Sequence, residues 1–296
     1  MLRLARYNRW AFQVKYPTKA PSLLFSFSTS AAESAPPIRV GLTESSGRGV
    51  FASRRIGTGD LIHTAQPIIS HPSLSSLYTV CYFCLQKLPI NSGVLQNVSF
   101  CSKRCEEKSK GLKYPLLVKR LACQVISGVV TPDVLDILQP EILTSEKVSL
   151  MKKDFALLRR NLEDSSIESD QMAFVTEGWY TAVLARIRIN AFRIEYPGGS
   201  YEDLLSLAAA SVEAEAAVGN AVYMLPSLYN HDCDPNANIF WTENVDAQIK
   251  ARRDIEQGEE LRICYIDASM DYEARQNILY EGFGFRCNCL RCESKD

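Results

Sequence analysis

Cysteine spacing offers the chain's first chemistry. Cys81-Tyr-Phe-Cys84 and Cys101-Ser-Lys-Arg-Cys105 form a C-x2-C pair and a C-x3-C pair, sixteen residues apart. Zinc takes four ligands in a tetrahedron, and two closely spaced pairs supply them with little loop-closure cost. Four thiolates leave no open coordination position, so this metal is expected to be structural. Lys87, Lys103, Arg104 and Lys108 lie close enough in sequence to offset the excess negative charge. Near the end of the chain, Cys287-x-Cys289-x2-Cys292 offers three thiolates, one short of a closed site. Three cysteines remain. Cys123 lies in an apolar periodic stretch and Cys264 sits between Ile263 and Tyr265, where a buried thiol is the default. Cys233 stands in the polar run Asn230-His231-Asp232-Cys233-Asp234-Pro235-Asn236 and is the best fourth ligand. Taken alone, that run also reads as a turn capped by Asn and Asp side chains. Disulfides are the competing use of these cysteines, but they belong to small secreted domains that lack a core. A chain of 296 residues with 46% hydrophobic content is not of that kind.

The elements that must position these groups are of two sorts. Residues 38–70 carry period-two patterning broken by Gly47-Arg48-Gly49 and Gly57-Thr58-Gly59-Asp60, which predicts short strands and turns. Between about Lys113 and Val222 the period lengthens to nearly four. The stripes are Leu117-Leu121-Val125, Leu150-Phe155-Leu158, Ala182-Ala185-Ile189 and Leu204-Leu207-Ala208-Val212, each predicting a helix. The fold class is therefore α+β, a β-rich core with helical insertions and not alternating βαβ units. No G-x-G-x-x-G follows a strand, so a dinucleotide fold is unsupported. One echo stands out. Ser53-Arg54-Arg55-Ile56 leading to Gly59-Asp60 is matched by Ala251-Arg252-Arg253 leading to Ile255 and Gly258-Glu259, each reading as a strand, a glycine turn and a returning strand. Shared hairpin chemistry and an old repeat explain it equally well.

At the polar run and its flanks the chain resembles SET domains. Asn230-His231-Asp232-Cys233-Asp234-Pro235-Asn236 is similar to their N-H-x-C-x-P-N signature, and Gly258-Glu259-Glu260-Leu261 followed by Tyr265 is similar to their G-E-E-L-x-x-x-Y segment. Cys287, Cys289 and Cys292 resemble the post-SET cysteines, which share zinc with the signature cysteine. Gly47-Arg48-Gly49-Val50-Phe51-Ala52 resembles the opening G-x-G segment, and Phe100 to Cys105 with Cys81 and Cys84 resembles two cysteine pairs of MYND zinc fingers, as inserted in SMYD-type methyltransferases. The ligands for a second MYND zinc are missing, so the module is a reduced one, serving either as a strut or as a docking site. A plant trithorax-related SET protein is the nearer likeness.

That resemblance implies a SET-domain β-rich fold with a pseudoknot-like C-terminus, a MYND-like zinc insertion, a helical insertion and a post-SET zinc site. Its parts would be 1–37, a transit peptide and linker; 38–76, the first SET portion; 77–112, the zinc insertion; 113–222, mainly helical; 223–266, the catalytic SET portion; and 267–296, the post-SET segment. It further implies transfer of methyl groups from S-adenosyl-L-methionine to lysine on a histone or non-histone protein. Tyr265 would be the catalytic residue. Gly47, Arg48, Gly49, Asn190 (of an N-x-F segment), Asn230, His231, Tyr265 and Phe285 would contact the cofactor, and Phe192, Phe283 and Tyr265 would wall the lysine channel. Eight cysteines (81, 84, 101, 105, 233, 287, 289, 292) would hold two structural zinc ions. A catalytically silent zinc-stabilised scaffold for protein binding is the competing reading.

The remaining composition sets limits on partners. Net charge is −1, so no basic field recruits nucleic acid, and no apolar run reaches the ~18 residues of a membrane-spanning helix. Met1 to Ala32 contains no acidic residue, carries Arg3, Arg6, Arg9, Lys15 and Lys19, and continues into a Ser/Thr-rich stretch. This pattern fits a transit peptide for mitochondrion or plastid. A basic arm without fixed structure fits it too, and the family likeness points instead to chromatin in the nucleus.

Overall fold

The computed structural model describes residues 35–73, 76–88, 99–108, 117–164, 167–196 and 218–296. The basic N-terminal segment and the stripe from Leu204 to Val212 lie outside the described residues.

Among the described residues, ten short strands make three small sheets. The first sheet has the order β1-β2-β10-β7, from Ile38–Leu42, Arg48–Ala52, Glu260–Ile263 and Asn230–His231. The second is β3-β9-β8, from Leu61–Ala65, Ala247–Ala251 and Ala237–Phe240, and the third is β4-β6-β5, from Ile69–Pro72, Gly219–Val222 and Ala191–Ile194. Val50, Ile62, Tyr223, Tyr229, Ile249, Ile255 and Leu261 fill one core among these sheets. Among the described residues, every pairing in these sheets is antiparallel except β7 with β10, which runs parallel and sets Asn230 beside Arg262 and His231 beside Ile263.

The echo noted in the sequence has a structural counterpart, though not as two hairpins. Each returning strand pairs with the other copy's first strand, β3 with β9 and β10 with β2. The turns interlock through matched bonds. Gly59 N–H donates to Ala251 O at 2.9 Å and Gly258 N–H donates to Ala52 O at 2.9 Å, while Ile56 and Ile255 exchange bonds of 3.0 and 2.9 Å. Gly59 and Gly258 have φ of +84° and +87°, a left-handed turn that side chains disfavour. The hairpins expected locally are replaced because exchange buries Ile56 and Ile255 against each other at 2% and 0% exposure.

Helices pack beside the third sheet around a second core that includes Leu121, Leu135, Leu162, Val175 and Val183. These are α2 (Leu117–Ile126), α3 (Ser145–Glu163) and α4 (Glu177–Asn190), whereas α1 (Lys103–Lys108) carries Cys105 of the first cysteine group. Thr144 and Thr176 cap α3 and α4 with side-chain oxygens that accept from Lys147 N and Trp179 N. The α3 stripe is shifted from the one read above: Met151, Leu158 and Leu162 face inward, whereas Leu150 is 56% exposed. In α4 the buried positions include Val183, Ala185 and Ile187.

The third sheet is tight at Gly219. A Cβ there would stand 2.4 Å from the His71 carbonyl oxygen and 2.7 Å from a Leu85 methyl. Gly219→Ala is therefore expected to cost about 1–3 kcal/mol of stability or more, since backbone cannot yield as a side chain does. A urea midpoint unchanged from wild type would contradict that packing.

Candidate active site and zinc clusters

Both groups of cysteines assemble as four-sulfur clusters. Cys81, Cys84, Cys101 and Cys105 form one, and Cys233, Cys287, Cys289 and Cys292 the other, with all sulfurs of each within 4.8 Å of one another. The sulfur pairs Cys84–Cys101, Cys101–Cys105 and Cys233–Cys292 are 3.6, 3.5 and 3.5 Å apart, and Cys233–Cys287 is 4.0 Å. A disulfide needs ~2.05 Å. Tetrahedral zinc with ~2.3 Å bonds puts sulfurs about 3.8 Å apart, so both clusters have the dimensions of a zinc site. Burial, together with the other three sulfurs, pushes the Cys233 thiol up, and a divalent cation reverses that by holding thiolates directly.

Counter-charge comes from two buried arginines that spacing did not reveal. Arg120 of α2 donates to Tyr82 O at 2.7 Å and lies 4.9 Å over the Tyr82 ring beside the first cluster. Of the cations nominated from sequence, Lys87, Lys103 and Arg104 are exposed. At the second cluster, Arg275 is fully buried on α5, the helix Tyr272–Phe283. It donates to Met270 O at 2.6 Å and to the backbone oxygen of Asp296, and reaches Cys292 Sγ at 4.0 Å. A buried guanidinium is costly unless paired, and the thiolate cluster supplies the opposite charge.

The same helix aims the aromatic residues. Asp271 caps its start by accepting from Ala274 N at 2.8 Å. Gly284 ends it in the left-handed conformation at φ +80°, turning the chain so that Phe285 follows back toward the cluster. Gln276 then grips Cys287 twice, donating to its O at 2.7 Å and accepting from its N at 3.1 Å. Tyr265 lies 5.1 Å from Phe283, 5.2 Å from His231 and 6.4 Å from Phe285, ring centre to ring centre.

Tyr265 is held at both ends. Its N–H donates to His231 Nδ1 at 3.1 Å and its hydroxyl donates to Tyr229 O at 2.5 Å. Because His231 Nδ1 accepts, Nε2 carries the ring proton and faces Cys233 Sγ at 3.3 Å. Burial, reinforced by Arg275 and Arg262 against Asp232, lowers His231 to about 4 and keeps it neutral. Burial, with a smaller push from Glu260, raises Tyr265 well above the ordinary phenol value.

Asn230 donates to Arg48 O at 3.1 Å and to Glu260 Oε1 at 2.7 Å, which brings the G-x-G segment to the signature loop. Gly47 suits its φ of +78°, whereas Gly49 leaves room: a Cβ there would stand 2.7 Å from Glu260 Oε1 and 2.8 Å from Thr43 Cγ2, so those side chains would have to shift. Asn236 locks the loop by donating to Glu260 O at 2.8 Å and accepting from Arg262 N at 2.8 Å. Arg48 donates to Ile137 O, and Asn190 to Gln139 O at 2.8 Å, so both meet the same stretch of the helical insertion. Asn190 also donates to Arg186 O, leaving its own Oδ1 as the remaining polar atom. Phe192 stands with another aromatic set, 5.6 Å from Tyr223 and 6.4 Å from Trp241.

With that geometry in place, comparison with known proteins is direct. Residues 47–266 match the SET domain family. The chain belongs to that family. It is 54% identical to histone-lysine N-methyltransferase ATXR4 of Arabidopsis thaliana over 325 aligned positions, spanning 100% of this chain and 99% of the relative. A SET and MYND domain-containing protein of Dictyostelium discoideum is 24% identical across 79% of this chain and 77% of its own length. Human histone-lysine N-methyltransferase SMYD3 is 44% identical, over 27% of this chain and 18% of its own. Among the described residues, no helix is long and apolar enough to cross a membrane.

Proposed function

We propose that this SET-domain chain is a protein-lysine methyltransferase using S-adenosyl-L-methionine. The observation that carries the reading is Tyr265: a neutral phenol whose single proton is donated to the Tyr229 carbonyl, so that its lone pairs are what it can offer a reacting group. Kinship with a relative named for histone-lysine methylation agrees with it. When bound, the donor supplies a methyl group on a sulfonium, and attack by an amine releases a neutral thioether.

The residues present suit such a donor. Tyr265, Phe283 and Phe285 gather beside a neutral His231, which keeps charge away from a site that must hold a cation. The cofactor contacts are assigned to Gly47, Arg48, Gly49, Asn190, Asn230, His231, Tyr265 and Phe285. For His231 the contact is through its backbone, since both ring nitrogens are engaged. Phe283 and Tyr265 are assigned as channel walls, and Phe192, whose ring packs on Tyr223 and Trp241, is assigned to the channel by the family resemblance alone. An acceptor lysine must be neutral, against a free pKa of ~10.4, and an aromatic channel that withholds water from the ammonium lowers that value. Tyr265 orients the amine, and positioning is the larger part of the rate. A zinc ion held by Cys233, Cys287, Cys289 and Cys292 would brace the site through His231, and one held by Cys81, Cys84, Cys101 and Cys105 would hold its own segment.

The substrate follows from compartment. A nuclear protein would meet histones, whereas cleavage of residues 1–37 as a transit peptide would direct it to an organellar protein. Imaging of a C-terminally tagged fusion separates the two. Zinc-replete protein is expected to label histone peptides or organellar extract from a tritiated methyl donor. Absence of donor binding by calorimetric titration would leave the scaffold reading.

A further inference from the structure

We propose that His63 and Tyr229 are positioning residues for the methyl-transfer step, holding the carbonyl that fixes the Tyr265 hydroxyl. The inference rests on Tyr265 standing at the reacting centre, as argued above. Tyr229 is 1% exposed, and its hydroxyl lies 2.9 Å from Nε2 of His63, itself 7% exposed. Their rings are 5.9 Å apart and tilted by 35°. Burial lowers His63 to about 4, so the pair is a neutral hydrogen bond inside a largely apolar core.

An aliphatic or phenyl side chain at each position would bury comparable surface without a polar group to satisfy. A buried polar pair is costly if either member loses its partner, and for that reason it admits one arrangement where apolar packing admits several. The strand is bent to make this pair. Ile62 and His63 are consecutive in β3, yet both are buried, at 3% and 7% exposure. Alternation would send one of them to solvent. The pairing with β9 shifts register between Leu61 and His63, and such a bulge re-aims the side chain that follows it.

What the pair holds is a backbone. The Tyr229 N–H donates to Pro226 O at 3.3 Å, closing a single turn of 3-10 helix, and its carbonyl accepts the Tyr265 hydroxyl at 2.5 Å. With the side chain anchored on β3, that carbonyl cannot swing as the turn flexes. The route from His63 through Tyr229 to Tyr265 thus ties the second sheet to the segment leaving β10. His231 ties the other end of Tyr265 to the zinc cluster. Loss of the His63–Tyr229 bond leaves the phenol in place but loosens the direction of its lone pairs, which lowers kcat and spares donor binding.

The test uses the full chain, loaded with zinc, with Tyr229→Phe, His63→Leu and His63→Gln. Tyr229→Phe and His63→Leu are expected to lower kcat roughly tenfold, about 1.4 kcal/mol, with the KM for S-adenosylmethionine within about twofold. His63→Gln, whose amide can pair with the Tyr229 hydroxyl, is expected to retain most of the rate. Tyrosine labelled at the hydroxyl-bearing ring carbon gives a second readout, with the Tyr265 resonance identified by its loss in Tyr265→Phe. That resonance should move in Tyr229→Phe and His63→Leu and stay in His63→Gln. Unchanged kcat in the first two variants overturns the proposal, as does an unmoved Tyr265 resonance or an equal fall in His63→Gln. If wild type transfers no methyl group, the proposed function fails, and the resonance alone decides whether the pair positions Tyr265.

Discussion

Cys233→Ser is expected to release one of two zinc ions per chain and to abolish binding of S-adenosylmethionine. Cys233 is 2% exposed and joins a loop beginning at Asn230 to a knuckle that starts at Cys287. A serine hydroxyl is neutral and a poor zinc ligand, so three thiolates would be left crowded beside Arg275 without their metal. Metal binding to a structural site is folding free energy, and loss of one ligand should cost several kcal/mol here. His231 would lose its sulfur partner at Nε2, and with it the alignment of the ring that accepts from Tyr265 N–H. The first cluster draws on no residue of the second and should keep its metal. Elemental analysis reads the ratio, with two falling to one, and calorimetry reads the donor. Retention of both ions, or loss of both, would break the ligand scheme.

Tyr265→Phe should do the opposite: keep the fold and the metal while removing the reaction. Phenylalanine preserves the ring contacts with Phe283, His231 and Phe285, and the backbone N–H to His231 is untouched. Only the hydroxyl goes, leaving the Tyr229 carbonyl short of one donor at a cost of about 1–3 kcal/mol. Removal of one preorganised polar group at a reacting centre typically costs ~10²–10³ in kcat, and a fall of that size is expected. Donor affinity should change by no more than a few-fold, and the zinc ratio should remain two. Equal labelling of substrate by mutant and wild type would remove Tyr265 from the mechanism.

How much of this was legible beforehand varies with the range of the interaction that decides it. The zinc pairs were readable because C-x2-C, C-x3-C and C-x-C-x2-C confine their sulfurs within a few residues, whatever the rest of the chain does. The choice of Cys233 over Cys123 and Cys264 also held, since a polar loop and an apolar strand differ in local composition; Cys264 is instead engaged with Ile266 O at 3.1 Å. The turns at Gly59 and Gly258 follow from backbone sterics alone, whereas the helix that stops at Gly284 carried no stripe read in the sequence. Long-range pairing was not legible in the same way. The echoed segments read as two hairpins, and only burial of Ile56 against Ile255 makes them exchange partners. Arg120 and Arg275 carried no local signal, because a buried arginine and a surface one look alike until a thiolate cluster folds beside them.

By itself, then, the sequence determined the closely spaced cysteine groups, the glycine turns and the signature motifs, each specified by residues only a few positions apart. The tertiary structure alone decided that β7 runs parallel to β10, that a bulge turns His63 onto Tyr229, and that Tyr265 is gripped by Tyr229 and His231. The first set rests on covalent reach and backbone sterics, which act within a few bonds. The second rests on which buried surfaces meet, and that is settled only when segments tens to nearly two hundred residues apart share one core.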